Sequence, residues 1–133
     1  MVINYPPLSE YEFLIKYLEV TNTLLDVTQQ LTHGEMELVA SIAILPDEKY
    51  KYQRFSMSAK KKVSEHLQIT IANINNRVHA LTVKNFLRKD EDKVLYLPKH
   101  LQKALTEFQK SKTTDITFRF NVAQNKSTTK ENS

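Results

Sequence analysis

Glycine occurs once among the 133 residues of this chain, at Gly34. Tight β-hairpin turns depend on glycine or asparagine at positive φ, so a sequence with one glycine argues against a fold of many hairpins. It favours helices joined by polar turns. The length suits one domain of ordinary size, and 41% hydrophobic residues are enough for one core. We therefore expect a mainly α-helical single-domain fold.

Several function classes are excluded by the residues that the chain lacks. There is no cysteine, which excludes disulfides, thiolate nucleophiles and cysteine-based zinc sites. The four histidines are scattered, and no catalytic triad order or phosphate-binding glycine loop is present. No apolar run approaches the roughly 20 residues of a membrane span, and no secretory signal is visible. We expect a cytoplasmic protein that is not an enzyme, uses no metal or cofactor, and does not bind membranes.

Charge is distributed unevenly along the chain. Residues 1–48 contain eight acidic side chains and one basic one, whereas residues 49–133 contain 18 basic and seven acidic ones. The first part therefore has a net charge of −7 and the second +11, within a total of +4. Such asymmetry predicts that the second part meets a polyanion, and it offers the acidic first part as a surface for a protein partner.

Two N-terminal helices are predicted from apolar spacing and cap residues. The first lies within residues 8–30, from about Glu10 to Gln29, with Ser9 as its N-cap. The second begins after Thr32 and ends before Pro46. Both caps are followed three residues later by glutamate, which is the capping-box pattern.

The next segment predicts two short helices with a tight turn between them. Asp47–Arg54 is expected to be a charged loop, with a short strand as the alternative. Ser58 is the predicted cap of a helix over Ala59–Gln68, and Thr70 caps a further helix that runs to about Lys84. The apolar residues of this last helix recur at spacings of four and three, which indicates one buried face.

Short strands are predicted beyond this point. Phe86–Lys89 and Val94–Leu97 read as the two strands of a hairpin, and residues 98–110 as a fifth helix with proline in its first turn. Thr113–Val122 alternates apolar and polar residues, as a half-buried strand does. Residues 123–133 form a polar tail.

Helix, tight turn, amphipathic helix and hairpin, in this order, make Ser58–Leu97 a predicted winged helix-turn-helix. The predicted fold is mainly α with a small β wing. Residues 1–122 form one domain, in which residues 31–110 are the winged-helix core, preceded by the long N-terminal helix and followed by an extra C-terminal strand.

The predicted outer surface suits double-stranded DNA. Asparagine can pair with N6 and N7 of adenine, and arginine with O6 and N7 of guanine. The predicted base-reading residues are Thr70, Ile71, Asn73, Asn75, Asn76 and Arg77. The predicted phosphate contacts are Ser58, Lys60, Lys61, Lys62, Lys84, Arg88, Lys89 and Lys93.

Residues Leu31–Leu105 resemble the MarR-type winged-helix regulators. The resemblance rests on LTHGEMELVASIAIL, on Ile69-Thr70 before the recognition helix, and on LTVKNFL at Leu81–Leu87. Asn85 stands where the family usually has glycine, and asparagine is the next best residue for a left-handed helix cap. The wing tip, Asp90-Glu91-Asp92, is acidic where the family often has a basic tip.

The resemblance implies a homodimeric transcriptional regulator that would be associated with the nucleoid when bound to DNA. Two alternatives remain open. One is a protein-interaction or structural component of a larger assembly, such as one encoded by a phage, which would bind its partner through the acidic N-terminal half or the C-terminal tail. The other is a replication or partition initiator with the same DNA chemistry.

Overall fold

The computed structural model describes residues 9–51 and 53–111. The elements are α1 (Glu10–Asn22), a 3-10 turn (Val27–Gln29), α2 (His33–Ala43), α3 (Asp47–Tyr50), α4 (Met57–Leu67), α5 (Ile71–Val83), β1 (Arg88–Lys89), β2 (Leu95–Tyr96) and α6 (Lys99–Ser111). The strands β1 and β2 pair antiparallel, with Arg88 opposite Tyr96 and Lys89 opposite Leu95. The prediction of a mainly α fold with a small antiparallel sheet is confirmed. The predicted strand Thr113–Val122 and the tail 123–133 lie outside the described residues.

Both predicted capping boxes are present. At the start of α1, Ser9 Oγ accepts a hydrogen bond from the amide of Glu12 at 3.1 Å, and the Glu12 carboxylate accepts one from the amide of Ser9 at 3.0 Å. Thr32 and Glu35 form the same pair at the start of α2, at 3.1 and 2.9 Å. The reciprocal bonds satisfy amides that a helix start leaves without a partner, which is why these two starts are readable from sequence.

The prediction of one long helix to Gln29 is wrong, because α1 ends at Asn22. Thr21 and Thr23 donate their hydroxyls to backbone carbonyls of the last turn, at 3.1 and 2.7 Å. The Asn22 amide bonds both the N–H and the C=O of Leu31, at 2.7 and 3.1 Å. These side chains satisfy the backbone locally and turn the chain towards α2.

The predicted start of α4 is also wrong. Ser56, not Ser58, is the N-cap, and its hydroxyl accepts from the amide of Ala59 at 3.2 Å. Ser58 lies in the first turn, with its hydroxyl 3.3 Å from that of Tyr50. In the described residues of the segment Asp47–Arg54, Asp47–Tyr50 forms the single helical turn α3, and none of them is in a strand.

Helix α2 lies at the centre of the core. Its residues from Leu38 to Ala43 are all buried, as in a helix that is surrounded by other elements. It packs against α1, α4 and α5, and α6 packs against α1. The rings of Phe13 on α1 and Phe108 on α6 stack with their centroids 4.4 Å apart.

None of the helices in the described part of the chain is long and apolar enough to cross a membrane.

Candidate nucleic-acid interface

A three-residue connection joins α4 to α5. Gln68 adopts the left-handed conformation with φ 57°, and the amide of Ile69 donates to the carbonyl of Ser64 at 3.3 Å. Thr70 is the N-cap of α5, and its hydroxyl accepts from the amide of Asn73 at 3.0 Å. The predicted cap is confirmed, and the connection turns the chain sharply between two helices that pack on each other.

One side of α5 is fixed on the core. Ile74, Val78 and Leu81 are buried, as their spacing predicts. The side chain of Ile71 is partly buried and packs against the same core. Ile71, predicted to read bases, is therefore only partly accessible and packs against the core.

The opposite side of α5 forms a surface that we call the outer face. All its members are exposed, and none has a formal charge at neutral pH with histidine neutral. They are Ala72, Asn73, Asn75, Asn76, His79 and Val83. Thr70, at the N-terminus of the helix, is exposed as well. The three asparagines and Thr70 thus lie on the surface where the sequence placed them.

Arg77 does not lie on the outer face. Its Nη1 atom donates to the carbonyl of Gly34 at 2.8 Å and lies 3.9 Å from the Glu37 carboxylate, and its side chain is 23% exposed. The guanidinium therefore ties α5 to the first turn of α2. The structure separates Arg77 from the other predicted base-reading residues.

Lys84 is likewise turned inward. The ammonium group donates to the carbonyl of Gln30 at 2.9 Å and to the carboxylate of Glu35 at 2.6 Å. Glu35 is buried, so this carboxylate depends on Lys84 for its charge partner. Lys84, predicted to contact phosphate, instead holds the C-terminal end of α5 against the start of α2.

Part of the charge asymmetry along the sequence is neutralised inside the fold. Three ion pairs join an acidic residue of the first part to a basic residue of the second; they are Glu35 with Lys84, Glu37 with Arg77, and Asp47 with Arg54. The uneven charge is thus explained in part by ion pairs that join α2 and the residues just after it to the rest of the domain. Only the remaining cations are available to an outside polyanion.

Six of those remaining cations flank α5 in the chain. Lys61 and Lys62 are exposed and Lys60 is partly exposed, all in the first half of α4. Arg88, Lys89 and Lys93 are exposed on the hairpin. None of the six forms an ion pair with another residue of the ranges 9–51 and 53–111. Of the eight predicted phosphate contacts, these six and the exposed Ser58 stay accessible, whereas Lys84 does not.

The hairpin that follows α5 has a well-defined tip. The carboxylate of Asp90 accepts from the amides of Asp92 and Val94, both at 2.9 Å, and Lys93 has a φ of 63°. Asp90 therefore closes the turn, while Glu91 and Asp92 remain exposed acids. The acidic tip predicted from sequence is partly a structural requirement of the turn.

A polar cleft lies where α5 meets the hairpin. Its volume is about 620 Å³, and it is lined by Gln29, Thr82, Asn85, Leu87, Arg88, Lys89 and Tyr96. Asn85 has a φ of 62°, which confirms the left-handed conformation expected where glycine is usual. This one residue turns the chain from the end of α5 into β1, so that the basic strand begins beside the helix end.

No protein-family model, curated protein or solved structure matches this chain. The resemblance to MarR-type regulators therefore stays a prediction. In the described ranges, no three metal-ligating side chains lie together.

Proposed function

We propose that this chain is a winged helix-turn-helix protein that binds double-stranded DNA, with α5 in the major groove and the β1–β2 hairpin as the wing. The observation that carries the proposal is the distribution of charge around α5. Its outer face is uncharged and carries hydrogen-bonding amides, while six accessible cations stand on the elements immediately before and after it. Phosphates flank the bases of a groove in the same way.

The local geometry supports this placement. In helix-turn-helix proteins the second helix presents its N-terminal residues to base edges while the first helix crosses the backbone. Here Lys60, Lys61 and Lys62 lie in the first half of α4, and the first two turns of α5, behind the Thr70 cap, contain three exposed asparagines. Each helix thus carries the side chains that its position in a helix-turn-helix requires. A transcriptional regulator, active as a homodimer, is the role that we propose for this binding.

The test is binding of the full chain to duplex DNA by fluorescence anisotropy across a series of salt concentrations. Neutralised phosphates release counterions, so the affinity should fall steeply with salt, by about 0.9 log units per tenfold rise in salt for each contact. Absence of binding at low salt, or binding that ignores salt, would refute the proposal.

Matched alanine variants locate the interface. We expect Lys61→Ala, Lys62→Ala and Arg88→Ala each to lower the salt slope by roughly one contact. Lys16→Ala removes the same charge from an exposed position on α1 and should leave the slope unchanged. Equal effects of Lys16→Ala and Lys61→Ala would mean that only net charge matters and would argue against the proposed surface.

A second candidate is a protein-interaction component, favoured by exposed apolar side chains between α1 and α2. Leu24 is 60% exposed and Val27 is 83% exposed, and Val20 is exposed beside them in the sequence. Exposed apolar groups suit a protein surface better than a polyanion. This function predicts a stable protein complex without DNA, whereas the DNA-binding protein should shift mass in light scattering when duplex is added.

A further inference from the structure

The outer face of α5 also indicates which bases it can read. Positions 72, 76, 79 and 83 follow one another at spacings of four, three and four, which places them along one line of the helix. Only the N-terminal part of such a helix reaches base edges, so Ala72 and the three asparagines of the outer face are the readers available in the first turns. They offer one methyl group and three amides.

The group best suited to guanine is withdrawn from this face. Arginine or lysine bound to O6 and N7 is the commonest way to read guanine. Arg77 is the one cation within Ile71–Val83, and it is bound to the Gly34 carbonyl and close to Glu37. Lys84, just beyond the helix, is bound to Glu35. Neither can read guanine without breaking its contact with α2.

What remains is the chemistry that A·T pairs accept. An asparagine amide can accept from N6 and donate to N7 of adenine, and a methyl group can pack on the C5-methyl of thymine. We propose that α5 selects A·T base pairs in the major groove through Asn73, Asn75 and Asn76, with Ala72 against a thymine methyl. This inference rests on the proposed DNA binding and names the class of site that it would take.

The experiment is selection of bound duplexes from a randomised library by the full chain, followed by affinity measurements on the enriched site. We expect A·T pairs at the central positions and a loss of about tenfold or more when they become G·C pairs. Asn73→Ala, Asn75→Ala and Asn76→Ala should reduce this discrimination. Lys103→Ala, an exposed change on α6, is the control that should leave it intact.

A modified base separates major-groove reading from a preference for narrow A·T minor grooves. Replacing adenine by 7-deazaadenine removes N7 from the major groove and leaves the minor-groove edge unchanged. It should weaken binding of the unmodified protein and have little further effect on the variant whose asparagine meets that base. Circular dichroism of the three asparagine variants checks that these exposed changes leave the helices folded.

The outcomes are distinguishable. Failure to bind any duplex would overturn the proposed function and this inference with it. Binding to a guanine-containing site that is lost in Arg77→Ala would overturn only the inference. A preference for A·T pairs that survives all three asparagine substitutions and the 7-deazaadenine replacement would also overturn only the inference.

Discussion

Arg77 Nη1 donates a 2.8 Å hydrogen bond to the main-chain carbonyl of Gly34, which is the one glycine of the sequence. A β-carbon at Gly34 would lie 3.0 Å from Cζ of Arg77, and 3.2 and 3.3 Å from its two terminal nitrogens. The absence of a side chain at Gly34 is thus what allows the guanidinium to approach the backbone of α2. The scarce residue serves a contact between two helices rather than a turn.

Gly34→Ala should therefore destabilise the fold although alanine is the better helix former. The propensity gain is at most about 1 kcal/mol, and displacement of Arg77 forfeits a charge-assisted bond with a net contribution of roughly 1.5–3 kcal/mol. We expect a net loss of about 1 kcal/mol in urea denaturation. In an Arg77→Ala background the same change should be neutral or stabilising. Equal effects in the two backgrounds would contradict this coupling.

The ion pair between Lys84 and Glu35 gives a second prediction. Lys84→Ala leaves the buried Glu35 carboxylate without its cation, so we expect a loss of about 2–3 kcal/mol, near the lower range for broken buried pairs because the lysine is partly exposed. The double variant Lys84→Met with Glu35→Gln removes both charges and keeps an acceptor for the Thr32 amide. It should recover part of that loss in the same denaturation measurement.

DNA binding separates this structural role of Lys84 from the phosphate contact predicted by sequence. If Lys84 is occupied by Glu35, its replacement should lower the unfolding free energy but leave the salt slope of binding unchanged at a temperature where the variant is folded. Lys61→Ala should show the reverse. A salt slope that falls by one contact in Lys84→Ala would restore the phosphate role.

Local signals in the sequence were sufficient for much of the scaffold. The residue pattern of the capping boxes at Ser9 and Thr32 predicts their hydrogen bonds directly. The buried face of α5 follows from the spacing of its apolar residues alone. Asn85 predicts a left-handed conformation at its own position because few other side chains tolerate that conformation. These features depend on neighbours a few residues away, which a sequence displays directly.

The inward turn of the α5 cations depended on partners far along the chain. Arg77 follows Ile74 by three and precedes Leu81 by four, so its position already lies on the buried side; periodicity could have shown this. The carbonyl that accepts its hydrogen bond belongs to Gly34, which is 43 residues away in the sequence. No local pattern predicts a contact over that distance. The prediction of the start of α4 was wrong for a different reason. Ser56 and Ser58 are equivalent as caps in the sequence, so the sequence alone does not select between them.

Arg54 is buried at the C-terminal end of α2. Its Nη1 atom donates to the carbonyls of Ile42 and Leu45, at 3.2 and 2.8 Å, and Nη2 binds the carboxylate of Asp47. Burial lowers the pKa of the Arg54 guanidinium, and the carboxylate of Asp47 acts in the opposite direction. The carbonyls at a helix end lack intrahelical partners, so this side chain replaces a C-cap.

Arg54→Met should accordingly cost about 2–4 kcal/mol of unfolding free energy, because it strands buried carbonyls as well as removing charge-assisted bonds. Arg88→Met is the matched control on exposed β1 and should change stability by no more than about 0.5 kcal/mol. Thermal unfolding followed by circular dichroism compares the two. Similar midpoints for both variants would argue against the capping role.

Tyr17 and His100 link α1 to α6 through a side-chain hydrogen bond. The tyrosine hydroxyl lies 2.9 Å from Nδ1 of the imidazole, and the ring centroids are 5.8 Å apart. Desolvation lowers the pKa of His100 below its ordinary value of 6.5. The folded protein therefore binds a proton at this site less readily than the unfolded chain does.

The pH dependence of stability follows from that difference. Where the unfolded state binds more protons, stability rises with pH, so the contribution of neutral His100 is complete above pH 6.5 and is lost as the pH falls through 6.5 towards the lower folded value. We expect urea denaturation at pH 7.5 and 5.0 to show a smaller difference for His100→Gln than for the unmodified chain. His79→Gln, an exposed change on α5, should keep the full difference. An unchanged pH dependence in His100→Gln would show that protonation is equally easy in both states, and the α1–α6 contact would then be insensitive to acid.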